Sequence, residues 1–232
     1  MGLGTGELLI VLDEVDSTNR EALERAAAGA PSGTVIVARR QTAGRGRQGR
    51  SWLSGPGALT LSVIVRGHGV DGLLPLRAGL AVARLAGASA RVKWPNDVLV
   101  DGRKVAGILV ESAGDGAAVV GIGVNVALDP ASLPDELVGR AGSLGRSADD
   151  LDAVRDELLV HLTDAMSLDA PTVVASLAAR DALAGRAIAW SAADGGERHE
   201  GHAEGIEADG RLRVRLAGGE LMHLSGGEVH VG

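Results

Sequence analysis

The chain predicts an α+β fold, a mixed sheet flanked by helices, followed by a small C-terminal β-barrel. Two observations predict it. Up to residue 184, short apolar runs with strand spacing alternate with segments of helical spacing. From Arg186 the texture changes to short alternating strands punctuated by Asp194-Gly195-Gly196, Asp209-Gly210, Gly218-Gly219 and Gly226-Gly227. The Ala184-Gly185 junction therefore divides a domain over 1–184 from one over 185–232. No internal repeat is evident.

Glu7 to Leu12 reads as the first strand, and Asp16-Ser17-Thr18-Asn19 opens a helix through Ala28, with Thr18 and Glu21 spaced as a capping box. Thr34 to Arg39 is a second strand. A glycine and arginine loop runs from Arg40 to Gly57, and Ala58 to Val65 is a third strand. Leu73 to Ala86 has the spacing and small residues of a buried helix. Arg91 to Val100, Lys104 to Ser112 and Ala117 to Val126 follow as consecutive strands, with turns at Asp101-Gly102 and Gly114-Asp115-Gly116. Asp149 to Leu168 and Pro171 to Ala184 are helices, Pro171 fitting the first helical position.

The 232 residues are 45% apolar and carry a formal charge of −7. That is enough chain for a real core, built from Leu, Val, Ala and a few Ile because Phe and Tyr are absent. An acidic chain does not coat nucleic acid or anionic membrane, since that binding is driven by phosphate neutralisation. Having no cysteine, it has no disulfide or thiolate chemistry. Met1-Gly2-Leu3-Gly4-Thr5-Gly6-Glu7 lacks a basic region followed by an apolar run, and no apolar span reaches about 18 residues. A soluble, cytoplasmic protein is expected.

Scarce residue types cluster. The only lysines are Lys93 and Lys104, at the two ends of Lys93-Trp94-Pro95-Asn96-Asp97-Val98-Leu99-Val100-Asp101-Gly102-Arg103-Lys104. Elsewhere arginine supplies positive charge, so this stretch points to sites wanting a compact ammonium, the kind of cation that sits on a phosphate. Pro95 makes the chain extended at Trp94, and Asn96-Asp97 set an amide and a carboxylate beside a lysine, a set able to orient an anion and hold magnesium. The turn at Asp101-Gly102 brings Lys104 back near Leu99. An exposed hairpin with salt bridges would explain one lysine but poorly explains both.

Gln41-Thr42-Ala43-Gly44-Arg45-Gly46-Arg47-Gln48-Gly49-Arg50-Ser51-Trp52 is the densest signal. Gly44, Gly46 and Gly49 formally match a dinucleotide fingerprint, but that motif must open a helix and Ser51 to Gly57 cannot be one. What remains is a loop carrying Arg45, Arg47 and Arg50 between glycines, able to fold over a polyanion with bidentate guanidinium contacts; a solvated loop or an RNA tether is the competing reading. In Gly121-Ile122-Gly123-Val124-Asn125 the glycines suit a strand that a ligand approaches closely, or simply a small-residue core. His199 and His202 read as solvated, not as metal ligands.

Taken in order, Asp16-Ser17-Thr18-Asn19, the Gln41–Trp52 segment, Lys93–Asp97, Lys104–Leu109 and Gly121–Asn125 resemble the biotin protein ligases, which adenylate biotin and transfer it to a carrier-protein lysine. The likeness covers most of residues 8 to 130. It implies a catalytic domain of the class II synthetase-like biotin and lipoate ligase type with a small SH3-like β-barrel behind it. It also implies ATP, biotin and magnesium as substrates and cofactor, and a biotin carboxyl carrier protein domain as partner.

The same resemblance implies roles. Ser17, Thr18, Asn19, Gln41, Arg45, Gly46 and Arg47 would surround biotin, with Lys104 bridging its carboxylate to the α-phosphate and Gly107 allowing close backbone approach. Arg45, Arg50, Trp52, Asn96, Asp97 and Asn125 would serve the nucleotide, Asp97 also holding the metal, and Lys104, Arg47 and Lys93 would carry the catalysis. Related ligases that repress transcription carry an N-terminal helix-turn-helix, and a first strand beginning at Glu7 leaves no room for one, so the single-function type without DNA binding is expected. Neither membrane nor DNA is a partner in this reading, and a homodimer is compatible with it. The lack of Phe and Tyr removes rings that could pack adenine. A lipoate-protein ligase is the nearest alternative, although the Arg-Gly-Arg loop and Lys93–Asp97 favour biotin; an RNA-binding module using residues 44 to 50 is the alternative of another class.

Overall fold

A computed structural model describes residues 8–67, 71–129, 131, 133–191 and 198–231. Glu7 and the expected turn at Asp194-Gly195-Gly196 lie outside the described residues. In chain order the elements are β1 (Leu9–Val15), α1 (Thr18–Ala27), β2 (Val35–Gln41), β3 (Ala58–Arg66), α2 (Leu74–Leu85), β4 (Arg91–Lys93), β5 (Asp97–Val100), β6 (Arg103–Gly114) and β7 (Ala117–Asn125). Helices α3 (Leu151–Ser167) and α4 (Ala170–Ala178) follow, then β8 (Ala187–Ser191), β9 (His199–Ile206), β10 (Leu212–Arg215), β11 (Leu221–Leu224) and β12 (Glu228–Val231).

A seven-stranded sheet in the order β1-β2-β3-β7-β6-β5-β4 is mixed as expected, β1 running parallel to β2 and the other pairs antiparallel. Alternation along the strands gives it two unlike faces. Leu59, Leu61, Val63, Val120, Ile122, Val124, Ala106 and Ile108 are buried in one large apolar cluster with α2, α3 and α4. On the other face Ile36, Ile64 and Val119 pack with Ala22 and Ala26 of α1, covering only part of it. The rest of that face, beside and beneath the start of α1, is mostly small and polar: Thr60 pairs with Gly123, Gly123 with Gly107, and Gly107 with Asp97, while Ser62 pairs with Gly121 and Gly121 with Leu109. That floor is where the singled-out segments converge.

Helix α2 is apolar nearly all round and is buried in the main core, where Gly79 lets β4 approach so closely that an added Cβ would lie 3.3 Å from Val92 Cγ1. Arg77 on α2 is buried, and its guanidinium donates to the carbonyls of Ala165 (2.9 Å) and Leu168 (2.6 Å) at the end of α3. These are the carbonyls a helix terminus leaves unpaired.

The sequence reading needs four corrections. Among the described residues no closed barrel forms at the C-terminus: β8 to β12 make an open five-stranded sheet in the order β11-β10-β9-β8-β12, whose four- or five-residue flanking strands are too short to curl β11 round to β12. Ser17, not Thr18, is the N-cap of α1, without a side-chain cap bond; Thr18 turns its hydroxyl to Gln41, and Glu21 pairs with Arg25 at 2.7 Å instead of closing a capping box. The stretch Arg91 to Val100 is two strands, because Trp94-Pro95-Asn96, with a cis Trp94–Pro95 peptide, turns the chain so that Lys93 pairs with Asp97 rather than running on extended. Helix α4 starts at Ala170 and ends at Ala178, capped by Asp169 Oδ1 accepting from the Thr172 amide at 2.9 Å. Beyond it, Arg180 and Asp181 leave the helix to bond along β4, where the Val92 amide donates to the Arg180 carbonyl at 2.8 Å.

The expected turns form. Asp101 and Gly102 both take positive φ, +50° and +75°, which favours glycine at the second position, and Leu99 pairs with Lys104. The two sheets share a core, since Ile188, Trp190, Leu212, Val214 and Val229 belong to the same apolar cluster as α2. Trp94 Nε1 donates to the Gly210 carbonyl at 3.0 Å across that junction.

Candidate active site

Residues 44 to 52 close on themselves as a hairpin. The Gly46 amide donates to the Arg50 carbonyl at 2.7 Å, and the Trp52 amide to Gly44 at 2.9 Å, with Gln48 at a positive φ of 56° near the tip. No helix longer than one 3-10 turn follows the glycines, so the dinucleotide fingerprint is excluded as expected. The arginines of the hairpin fan out to different elements. Arg45 Nη2 meets Glu111 Oε1 on β6 at 2.8 Å; Arg47 Nη1 donates to Asn96 Oδ1 at 3.3 Å; Arg50 Nη1 reaches Glu228 Oε1 on β12 at 3.0 Å. The loop thus bridges both sheets over the small polar floor.

Trp52 lies directly on that floor. A Cβ at Gly123 would run into its indole, and one at Gly107 would come within 3.1 Å of Trp52 Cζ3 and 3.3 Å of Lys104 Nζ. The glycines that suggested close approach by a ligand accommodate this ring and, at Gly121, the carboxamide of Asn19. The indole Nε1 is buried without a hydrogen-bond acceptor, an orphaned donor facing the site.

Next to the ring is the charge. Lys104 Nζ is 2.6 Å from Asp97 Oδ1 and 5.8 Å from the Trp52 centroid. Burial pushes the Lys93 ammonium below the ordinary lysine range; Asp97 opposes the shift and Lys104 adds to it. Burial likewise lowers Arg47, opposed by Asp97 and reinforced by Arg50. Lys93, Lys104 and Arg47 all act with Asp97, Glu228 also acting on Lys93, in a partly dehydrated place, which is an environment that favours an incoming anion. Among the described residues no three His, Cys, Asp or Glu side chains are arranged around a metal ion. Asp97 alone fits magnesium in the way that ion is usually held, by one carboxylate with the nucleotide's own phosphate oxygens and water.

At the other end of the floor Ser17, Thr18 and Asn19 are buried at the start of α1. The Gln41 carboxamide oxygen accepts from the Thr18 amide (2.8 Å) and hydroxyl (3.2 Å), and its NH₂, beside Gly44, has no acceptor among the described residues. Asn96 is held by its Nδ2 on the Ile108 carbonyl at 2.9 Å. Two expected residues point elsewhere in this state: Arg50 reaches away to β12, and Asn125 uses its Nδ2 on the Gly142 carbonyl at 2.9 Å, pinning the segment after β7. Sequence reasoning missed Ser62, Glu111 and Glu228. The first two had a signal, a hydroxyl within the run Leu59–Val65 and a carboxylate that ends the run Val105–Val110 while β6 continues; Glu228 had none.

Residues 11–129 match the biotin/lipoate A/B protein ligase family, and residues 191–232 match the biotin protein ligase C terminal domain. The biotin--[acetyl-CoA-carboxylase] ligase of Mycobacterium tuberculosis is 36% identical over 100% of this chain and 92% of its own length. Bifunctional ligase/repressor BirA of Bacillus subtilis is 40% identical over 62% of this chain, which spans 48% of that protein. Among solved structures, the biotin protein ligase from Aquifex aeolicus in complex with biotin and ATP superposes with a TM-score of 0.82 at 28% identity, covering 97% of this chain and 98% of that one.

Proposed function

The chain belongs to the biotin/lipoate A/B protein ligase family, and we propose that it is a biotin--protein ligase, using ATP to make biotinyl-5'-AMP and passing the biotin to one lysine of a biotin carboxyl carrier protein domain. The observation that carries this reading is the cluster of Lys93, Lys104 and Arg47 around Asp97, at the edge of a floor where Gly107 and Gly123 leave room for the Trp52 ring. In the first step a biotin carboxylate oxygen attacks the α-phosphorus of ATP and pyrophosphate leaves. Two anions must meet, so fixed cations and positioning supply most of the catalysis. The carrier amine then attacks the acyl carbon, loses a proton, and AMP departs.

In this reading Lys104 leaves Asp97 to bridge the carboxylate and α-phosphate, and Asp97 would hold magnesium, whose charge would offset that of the phosphates. Lys93 and Asn96 bind phosphate oxygens, with Arg50 joining them after releasing Glu228. Ser17, Thr18, Asn19 and the Gln41 NH₂ line the biotin end, and Arg45, Gly46 and Arg47 fold over it to keep water from the mixed anhydride. Asn125 supports the nucleotide side through the segment it pins. Trp52 moves off the glycines to cover the bound ligand, offering the ring that adenine would otherwise lack. Residues 1–184 form the catalytic domain and 185–232 the appended one, in a cytoplasmic enzyme. No helix among the described residues is long and apolar enough to cross a membrane.

Incubation with ATP, magnesium and biotin should release pyrophosphate and give a biotinyl-AMP peak, and adding a biotin carrier domain should transfer the label to one lysine. Lipoate giving faster pyrophosphate release than biotin would replace this reading with the lipoate one.

A further inference from the structure

Glu111, on β6, belongs to none of the segments that carry the family resemblance. Its two carboxylate oxygens are committed to different elements: Oε2 accepts from Asn19 Nδ2 at the start of α1 and Oε1 from Arg45 Nη2 in the hairpin, each at 2.8 Å. Asn19 Oδ1 in turn lies 2.6 Å from Ser62 Oγ, which is also 2.8 Å from Thr18 Oγ1, and Thr18 donates to Gln41. A serine hydroxyl has one proton, so Ser62 donates to either Thr18 or Asn19 at a time. The row Gln41, Thr18, Ser62, Asn19, Glu111, Arg45 is therefore continuous from the ligand-binding end of α1 to the arginine hairpin, and its middle cannot be satisfied independently of its ends. The fold reserves space for it, since any Cβ at Gly121 would collide with the Asn19 carboxamide.

We infer that Glu111 is a positioning residue that couples occupancy of the Thr18–Gln41 end to closure of the Arg45 hairpin. The inference rests on the biotin-ligase reading. A ligand group hydrogen-bonded at Thr18 fixes which way Ser62 donates, Ser62 fixes the Asn19 amide, and Asn19 holds Glu111 where Arg45 can fasten the loop. Arg45 is 46% exposed, so its ion pair alone contributes little in water; what Glu111 adds is a fixed docking point.

The test is a double-mutant cycle of Glu111→Gln, Arg45→Gln and the pair, read in pyrophosphate release. In Glu111→Gln the carboxamide oxygen can still serve Asn19, but its NH₂ then faces the Arg45 guanidinium donor to donor, so the hairpin contact is lost selectively. The expected result is a rise of about fivefold in KM for biotin with kcat altered less than about twofold, as for loss of one partly exposed charged contact. Arg45→Gln should be impaired at least as much, since it also loses what Arg45 gives the ligand directly, and the double variant should be no worse than Arg45→Gln alone. Multiplicative effects, or an unchanged KM, overturn the inference. A merely structural role would lower the thermal midpoint and the active fraction yet leave KM alone, because KM does not depend on how much enzyme is folded, and that too counts against it. Wild type serves as the control: no pyrophosphate release with biotin sinks the ligase reading and this inference together, whereas an active wild type with an uncoupled cycle sinks only the inference.

Discussion

Lys104 on β6 reaches back along the sheet to hold its ammonium 2.6 Å from Asp97 on β5, whose register partner is Gly107, where a Cβ would come within 3.3 Å of Lys104 Nζ. An ammonium on a flexible stem can leave the carboxylate and follow charge as it passes from biotin to phosphate. A guanidinium is planar and bulkier, and prefers a bidentate carboxylate such as Asp97. Lys104→Arg should therefore fold normally and lose about 3 kcal/mol of transition-state stabilisation, roughly a hundredfold in adenylation rate, the usual cost of one preorganised charge-stabilising donor. Near wild-type pyrophosphate release would remove Lys104 from the role assigned to it.

Lys93 gives a pH dependence with a definite sign. Burial disfavours its charged form, so the free enzyme loses this cation at a lower pH than an ordinary lysine would. If Lys93 binds phosphate as proposed, that binding needs the charge, and kcat/KM for ATP, which reports the free enzyme, should fall on the alkaline side below the normal lysine range. In Lys93→Arg that limb should move beyond the accessible pH, because guanidinium stays protonated. A basic limb of unchanged position in Lys93→Arg would mean another group titrates there.

Gly121 offers a stability test independent of catalysis. Its alanine variant puts a methyl into the Asn19 carboxamide, and the neighbouring buried bonds of Asn19 to Ser62 and Glu111 must shift to make room. Overpacking of this kind costs about 1–3 kcal/mol, so chemical denaturation should show Gly121→Ala destabilised by that amount. Gly87, where a Cβ meets nothing within 4 Å, takes φ +95°, so alanine there tests backbone strain alone. A Gly121→Ala protein as stable as wild type would show that the carboxamide has room that the fold does not display.

What could be read in advance follows from where the information lies. The strands other than Arg91–Val100, which the Trp94-Pro95-Asn96 turn splits in two, the hairpin turn at Asp101-Gly102 and the residues of the Lys93–Lys104 stretch were legible because periodicity, turn chemistry and scarcity are local properties of the chain. The capping of α1 was misread because Thr18 is claimed by Gln41, a partner 23 positions away that no local pattern announces. The same holds for the end of α4, which yields to a bridge with β4, and for the open C-terminal sheet, whose closure depends on strand length and tilt rather than on alternation. Within the site, the arginine hairpin was recognisable but its destinations were not. That Arg45, Arg47 and Arg50 part toward Glu111, Asn96 and Glu228 is a consequence of two sheets meeting, and composition cannot encode it.

Arg47 separates retention of the intermediate from its formation. Its guanidinium is partly buried, its charge disfavoured by that burial, and its bond to Asn96 Oδ1, at 3.3 Å, is longer than the contacts that Arg45 and Arg50 make. Replacing it with glycine empties no core and adds backbone freedom to a loop already rich in glycine, so stability should change by no more than about half a kcal/mol. Lys104 and Lys93 remain to bring carboxylate and phosphate together, and adenylation should persist at reduced biotin affinity. Closure over the mixed anhydride should not, because the fork that meets the adenylate from the hairpin side is gone. Biotinyl-AMP then escapes, and lysines of an unrelated protein in the same tube should be biotinylated in proportion to their concentration, as read by mass spectrometry against wild type. If Arg47→Gly makes the adenylate yet labels the bystander no more than wild type does, another group keeps the intermediate in place.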